Sequence, residues 1–254
     1  MHFFNDNNYD CYVLDWAYQG KSTRLDENQD MRHSKGFDQD ISDLTHLINK
    51  HIPDHHSAPL LLLAHSMGGN LAMRYMIDNP DKVTAAALST PMFGIKGMRI
   101  LKPLIKKIAF LFNNITTSYV PGGHNWRKKR APTLSHDPKR SSLQYLWSKT
   151  VPALRVGSPT FGWLYHALSS IDYIHQANKL KNIDIPMFIG VAQNETLVCN
   201  KSIIKLSKYL DKADIKSYDN AMHEILMERD EVRSDFLARS LSLFDQSVSG
   251  YSLS

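Results

Sequence analysis

"LLLLAHSMGGNLAMRYM", residues 60–76, is the stretch on which the fold turns. Its leucine run with Ala64 has the composition of a strand buried on both faces of a parallel sheet. The run breaks at His65-Ser66-Met67 and two glycines. Leu71, Ala72, Tyr75 and Met76 then recur at helical spacing, until Pro80 in "DNPDK" forbids continuation. A strand that becomes a helix around one serine leaves that serine exposed above the sheet edge. The turn has the form small-x-Ser-x-Gly, with Ala64 and Gly68 as its small residues. Ser66 is therefore the candidate nucleophile, and the backbone N–H of Met67 points where an oxyanion would form.

The same alternation extends outward. "CYVLDW" (11–16) predicts a short buried strand running into a polar loop, and Phe37, Ile41, Leu44, Leu47 and Ile48 predict a helix. "VTAAALS" (83–89), "IPMFIGVAQ" (185–193) and "DIKSYD" (214–219) are further strand candidates, with helices around "KSIIKLSKYL" and after His223. Strands alternating with helices predict an α/β protein with a doubly wound, mostly parallel sheet. The rhythm lapses in the middle of the chain. The expected organisation is a core of residues 1–90 and 183–254 with a helical insertion, 91–182, that holds Trp126, Trp147 and Trp163.

Within the insertion, residues 100–115 place Leu101, Leu104, Ile105, Ile108, Phe112 and Ile115 on one helical face, with Lys102, Lys106 and Lys107 outside it. Such a basic amphipathic helix suits an anionic membrane surface, the wall of an acyl pocket, or burial on its own core. "NWRKKRAP" (125–132) reads as a headgroup contact or as a solvated charge run.

A formal net charge of +5 on 254 residues favours anionic partners such as lipid headgroups and is too weak to argue for nucleic acid. Cys11 and Cys199 make no disulfide framework, and no C-x-x-C or His/Cys cluster suggests a metal. No stretch approaches the roughly 18–20 apolar residues of a membrane span. "MHFFNDNNYD" lacks the pattern of a signal peptide. The expectation is a cytoplasmic protein with peripheral membrane contact through the insertion.

A serine alcohol needs a base, and the base needs an acid to orient it. The acid should follow the strand at 185–192. Glu195 does, whereas Asp184 precedes that strand and falls at the wrong end of the sheet. The base should follow the next strand, and "SYDNAMHEILMERD" (217–230) puts His223 in a loop before a helix. His65 is locked beside the serine and cannot face it.

With these residues in view, the chain resembles the bacterial lysophospholipases and monoacylglycerol lipase-like serine α/β-hydrolases, the lysophospholipase branch most of all. "YVLDWAYQGKS" is similar to the family's D-W-R-G-Q-G-x-S loop, with Ala17 and Tyr18 in place of its arginine and first glycine. "RHSKGFDQDISDL", "LAHSMGGNLAMRY" and "LSTPMFGI" look like the family's helix entry, elbow and strand exit. "TLSHDPKR", "LRVGSPTFGWL" and "MHEILMERDEVR" look like its cap and histidine loop.

The resemblance implies Ser66 as nucleophile, His223 as base and Glu195 as acid. It implies hydrolysis of a monoacyl lipid, lysophospholipid or monoacylglycerol, through an acyl-serine, with no cofactor or metal and with residues 91–182 as a cap over the acyl site. Other readings are an α/β-hydrolase of a small ester or peptide, and a truncated non-catalytic remnant. In the family a second oxyanion donor lies on a His-Gly loop upstream of Asp15, and "MHFFNDNN" has no match to it. The strand bearing that loop pairs between the segments at 11–15 and 60–64. The expectation is therefore an N-terminally truncated reading of a longer protein, with a gap in the sheet or direct pairing of those two segments.

Overall fold

The computed structural model of the chain describes residues 1–52, 58–111, 116–128 and 133–249. Its strands are β1 (Leu61–His65), β2 (Ala85–Ser89), β3 (Met187–Ala192) and β4 (Ala213–Tyr218). Its helices are α1 (His2–Asn5), α2 (Phe37–His51), α3 (Met67–Asp78), α4 (Met98–Leu111), α5 (Arg140–Thr150), α6 (Phe161–Ile174), α7 (Ala177–Leu180), α8 (Asn200–Ser207) and α9 (Asp230–Val248). The strands run in the order β1-β2-β3-β4, every pair parallel, in registers such as Leu61↔Ala85, Ala86↔Met187 and Met187↔Ala213.

Period-two alternation sends the central strands into two cores. Ala86, Leu88, Met187, Ile189 and Val191 join the larger cluster with Leu71, Tyr75, Leu168, Ile171 and Leu206. Ala85, Ala87 and Phe188 face the other side, where Phe236, Leu237 and Phe244 of α9 cover them. A sheet buried on both faces confirms the doubly wound α/β expectation, and β2 and β3 are accordingly buried along their whole length. Among the described residues no helix is long and apolar enough to cross a membrane.

Two expectations need correction. "CYVLDW" forms no strand: Tyr12 and Val13 are 42% and 66% exposed, and no ladder runs through residues 11–16. A strand's backbone groups are satisfied by a neighbouring strand, and among the described residues no strand pairs with this segment. Direct pairing of this segment with the leucine run, one of the two expected outcomes, is therefore not seen. β1 itself is an edge strand, so the run expected to be buried on both faces leaves Leu63 39% exposed.

On α4 the apolar stripe divides: Leu101 and Leu104 are exposed, whereas Ile105 packs against the core, as does Met98 at the start of the helix. Lys102 and Lys106 also tie the helix to α6, both reaching Asp172, Lys106 Nζ at 2.9 Å. Phe112, Ile115 and the side chain of Ile108 lie outside the described residues, as do residues 129–132 of the basic stretch. Trp163 is buried in the main core, whereas Trp147 is 59% exposed.

Candidate active site

Ser66 sits between β1 and α3 with φ 52° and ψ −117°, a conformation that L-residues avoid and that persists only where the surroundings over-determine it. The clamp is the turn after β2. Ser66 N–H donates to the Ser89 carbonyl at 3.1 Å, and its own carbonyl accepts from Met92 N–H at 2.9 Å. Asn70, fully buried, donates from Nδ2 to the Met92 carbonyl at 3.0 Å and accepts from Ser170 on α6. The close approach of helix to turn falls on Gly69, where a Cβ would lie 2.6 Å from Pro91 Cβ. Gly68, the expected small position, is not tight: a Cβ there would lie 3.9 Å from that of Ala64.

The structure brings Ser66, Glu195 and His223 together. His223 Nε2 lies 2.8 Å from Ser66 Oγ, and His223 Nδ1 lies 2.7 Å from Glu195 Oε2. Both His223 and Glu195 are buried. Glu195 Oε1 accepts the backbone N–H groups of Thr196 and Leu197 at 2.7 Å and of Val198 at 3.2 Å. Burial pushes this carboxyl up. The hydrogen bond and charge of His223, together with the backbone donors, outweigh that and hold it below its ordinary value. An ionised Glu195 accepts from Nδ1–H, which leaves Nε2 as acceptor for the serine proton. Asp184, the rejected acid, pairs with Lys212 at 2.9 Å and is well exposed.

His65 does not bond Ser66. Its Nδ1 lies 3.2 Å from the Ser89 carbonyl, and its ring stands 4.7 Å from that of His223. Burial, then the neighbouring His223, push its pKa down to about 4, so it is a neutral spacer at neutral pH. Thr90 donates from Oγ1 to the His223 carbonyl at 2.8 Å and so joins the β2 turn to the histidine loop. Met67 opens α3, where N–H groups lack intrahelical acceptors and the helix dipole is positive.

One residue that sequence reasoning missed is Glu228, fully buried. Its Oε1 accepts Met222 N–H at 2.9 Å, His136 N–H at 3.0 Å and His136 Nδ1 at 2.9 Å. It thereby joins the residue before His223 to the segment leading into α5. Arg140 Nη1 adds a bond to the Glu228 carbonyl at 2.6 Å. In the sequence Glu228 is one acid among several in "HEILMERDE", with no local signal of burial. Cys11 and Cys199 are both free, and among the described residues no His/Cys/Asp/Glu group could hold a metal.

Ser66 follows β1, Glu195 follows β3 and His223 follows β4, the chain order of nucleophile, acid and base in the α/β-hydrolases. The protein is of that class. More narrowly, the chain belongs to the Hydrolase_4 family (serine aminopeptidase, S33), which residues 1–230 match. It is similar to a probable lysophospholipase L2 of Haemophilus influenzae, at 29% identity over 240 residues, 92% of this chain and 74% of that one. To lysophospholipase L2 of Escherichia coli (strain K12) it is 25% identical over 253 residues, 94% and 73% of the two chains. Among solved structures, a soluble variant of monoglyceride lipase from Saccharomyces cerevisiae superposes with a TM-score of 0.69 at 17% identity, over 92% of this chain and 76% of that one. A thermostable carboxyl esterase from Bacillus coagulans gives 0.68 at 16% identity, over 92% and 79%. At such identities the solved structures show a shared fold.

Proposed function

We propose that this protein is a serine carboxylic-ester hydrolase that releases a fatty acid from a monoacyl lipid, lysophospholipid or monoacylglycerol. The observation that carries the reading is the hydrogen-bonded chain from Ser66 through His223 to Glu195. Ser66 Oγ attacks the ester carbonyl while His223 Nε2 takes its proton. The oxyanion forms against the Met67 N–H, and His223 returns the proton to the departing glyceryl alcohol. Water, deprotonated by the same nitrogen, then attacks the acyl-serine and frees the acid. The steps draw on side chains, backbone and water alone. The lipid names of the two curated relatives support the substrate class.

Residues 91–182 act as the cap in this reading, and the protein works in the cytoplasm with the cap touching the membrane. Leu101 and Leu104 on α4, with Leu143, Leu146 and Trp147 at helical spacing on α5, support that contact because they are large, apolar and exposed. Replacing Leu104 and Trp147 together by aspartate should reduce co-sedimentation with anionic vesicles; unchanged sedimentation counts against the contact.

The activity test is fluorophosphonate labelling with the labelled residue mapped, alongside fatty-acid release from a lysophospholipid and a monoacylglycerol. Label on Ser66 and release of acid, both lost in Ser66→Ala, is the expected result. Release that survives Ser66→Ala, or no release from either lipid, would overturn the reading.

A further inference from the structure

A cavity of about 740 Å³ opens next to the histidine loop, lined by Arg32, Trp126, Tyr145, Ser158 and Glu224 among others. Glu224 directly follows His223, and its N–H donates at 2.9 Å to the carbonyl of Leu134, another residue of the cavity wall. The wall is fixed rather than draped. Arg32 N–H donates to the Ser158 carbonyl at 3.3 Å, and the Arg32 carbonyl accepts from Thr160 N–H at 2.9 Å. Trp126 N–H donates to Asp30 at 3.1 Å, and the Trp126 ring stacks on Tyr145 with centroids 6.1 Å apart.

Arg32 is the anomaly in this wall. Its Nε is sealed from solvent without a hydrogen-bond partner, and among the described residues no carboxylate pairs with its guanidinium. Arg24 and Arg74 each have an unpartnered Nε too, but their terminal nitrogens bond to carbonyls or to Asp38. Arg32 alone of the three makes no hydrogen bond or ion pair from any guanidinium nitrogen among the described residues. Arg32 is half-buried, with its inner nitrogen sealed and its head facing the cavity without a protein anion, so an anionic ligand there would supply the missing partner. Glu224 lines the same cavity, half-buried, and forms no ion pair with Arg32 among the described residues. Burial pushes its carboxyl up, with His223 opposing. The other titratable groups of the wall are His124, Arg127 and Tyr145. An unpaired cation and an unpaired acid in one cavity match a ligand carrying both charges.

We infer that this cavity is a headgroup subsite for monoacyl lipids bearing an aminoalkyl phosphodiester, with Arg32 on the phosphate and Glu224 on the ammonium. The inference rests on the ester-hydrolase reading for its lipid, and it selects lysophospholipid over monoacylglycerol. A guanidinium is suited to the task because its planar donors match phosphate oxygens in pairs.

The test is lipid binding in a Ser66→Ala background, read by Trp126 fluorescence, so that it does not depend on turnover. The probes are lysophosphatidylethanolamine, lysophosphatidylglycerol and monoacylglycerol of one acyl chain, and inorganic phosphate. Arg32→Met should weaken both phospholipids at least tenfold relative to monoacylglycerol, and Arg32→Lys should restore part of that loss. Glu224→Gln should weaken the ethanolamine lipid more than the glycerol one. Arg32→Met should leave Tm unchanged or raise it, because no side-chain bond within the protein is removed, whereas an arginine kept for structure would lower it.

Equal weakening of all lipids, or weakening of none, overturns the subsite. Inorganic phosphate binding as tightly as the phospholipids would make this a free-phosphate site and overturn the headgroup assignment. Arg32-dependent binding by a protein that hydrolyses no lipid would sink the hydrolase reading and keep the subsite.

Discussion

Ser66 is held at φ 52° by hydrogen bonds to Ser89 and Met92, and the strain keeps its hydroxyl 2.8 Å from His223. Glu195 fixes the imidazole from the far side. Glu195→Gln keeps the shape but stabilises the wrong tautomer, so kcat for ester hydrolysis should fall by roughly 10³–10⁴-fold. Steady-state kinetics on a soluble ester checks this, and a loss under tenfold would show that Glu195 does not orient the base.

His65 carries a pH signature. Its folded pKa of about 4 lies below the ordinary 6.5, so between those values the unfolded chain binds a proton that the folded chain refuses. Its contribution to stability is full above pH 6.5 and is lost as pH falls toward 4. His65→Asn, which can still donate to the Ser89 carbonyl, should flatten the fall of the urea midpoint across that window. Glu195, held below its usual value, acts in the same direction but lower, beneath its ordinary 4.5.

In the first turn of α3 the two adjacent glycines do different things. A Cβ at Gly68 meets only Ala64, at ordinary contact distance, and alanine is the better helix former by about 0.5–1 kcal/mol. Gly68→Ala should therefore be neutral or stabilising. At Gly69 the same Cβ would press into Pro91, on the turn that clamps Ser66. Gly69→Ala should cost about 1–3 kcal/mol in urea unfolding and slow fluorophosphonate labelling of Ser66. Equal behaviour of the two variants would contradict the packing described. The leucine run and its helix were legible in the sequence because periodicity and a proline stop are local properties. "CYVLDW" was misread for the opposite reason: its apolar composition is local, but strand pairing depends on a neighbour that composition does not reveal.

Across the molecule, the histidine loop is anchored by contacts far apart in the chain. Thr90 bonds the His223 carbonyl from the turn after β2, and Glu228 bonds Met222 and His136 at once. Glu228→Ala would strand two backbone donors in a buried site, at about 1–3 kcal/mol each. We expect a stability loss of at least about 2 kcal/mol and a slower acylation rate, with Glu228→Gln milder on both. Urea melts and single-turnover kinetics would check it, and a stability loss with unchanged acylation would limit Glu228 to a structural role. Helices α4 and α6 are likewise joined by Lys102 and Lys106 on Asp172, while Leu101 and Leu104 of the apolar stripe stay exposed. Helical spacing says which residues share a face, and the partner decides which face is used.

The order of strand and helix, the strained serine, and the choice of Glu195 and His223 followed from the sequence by itself. Each depends on spacing along the chain, on proline and glycine chemistry, and on the order in which strands must meet. Only the tertiary structure decided that β1 lies at the sheet edge, that Gly69 rather than Gly68 is tight, that Glu228 is buried under the histidine loop, and that Arg32 stands unpaired in a cavity. Those facts are set by close approach between segments distant in sequence, where distance and desolvation determine what a side chain can do.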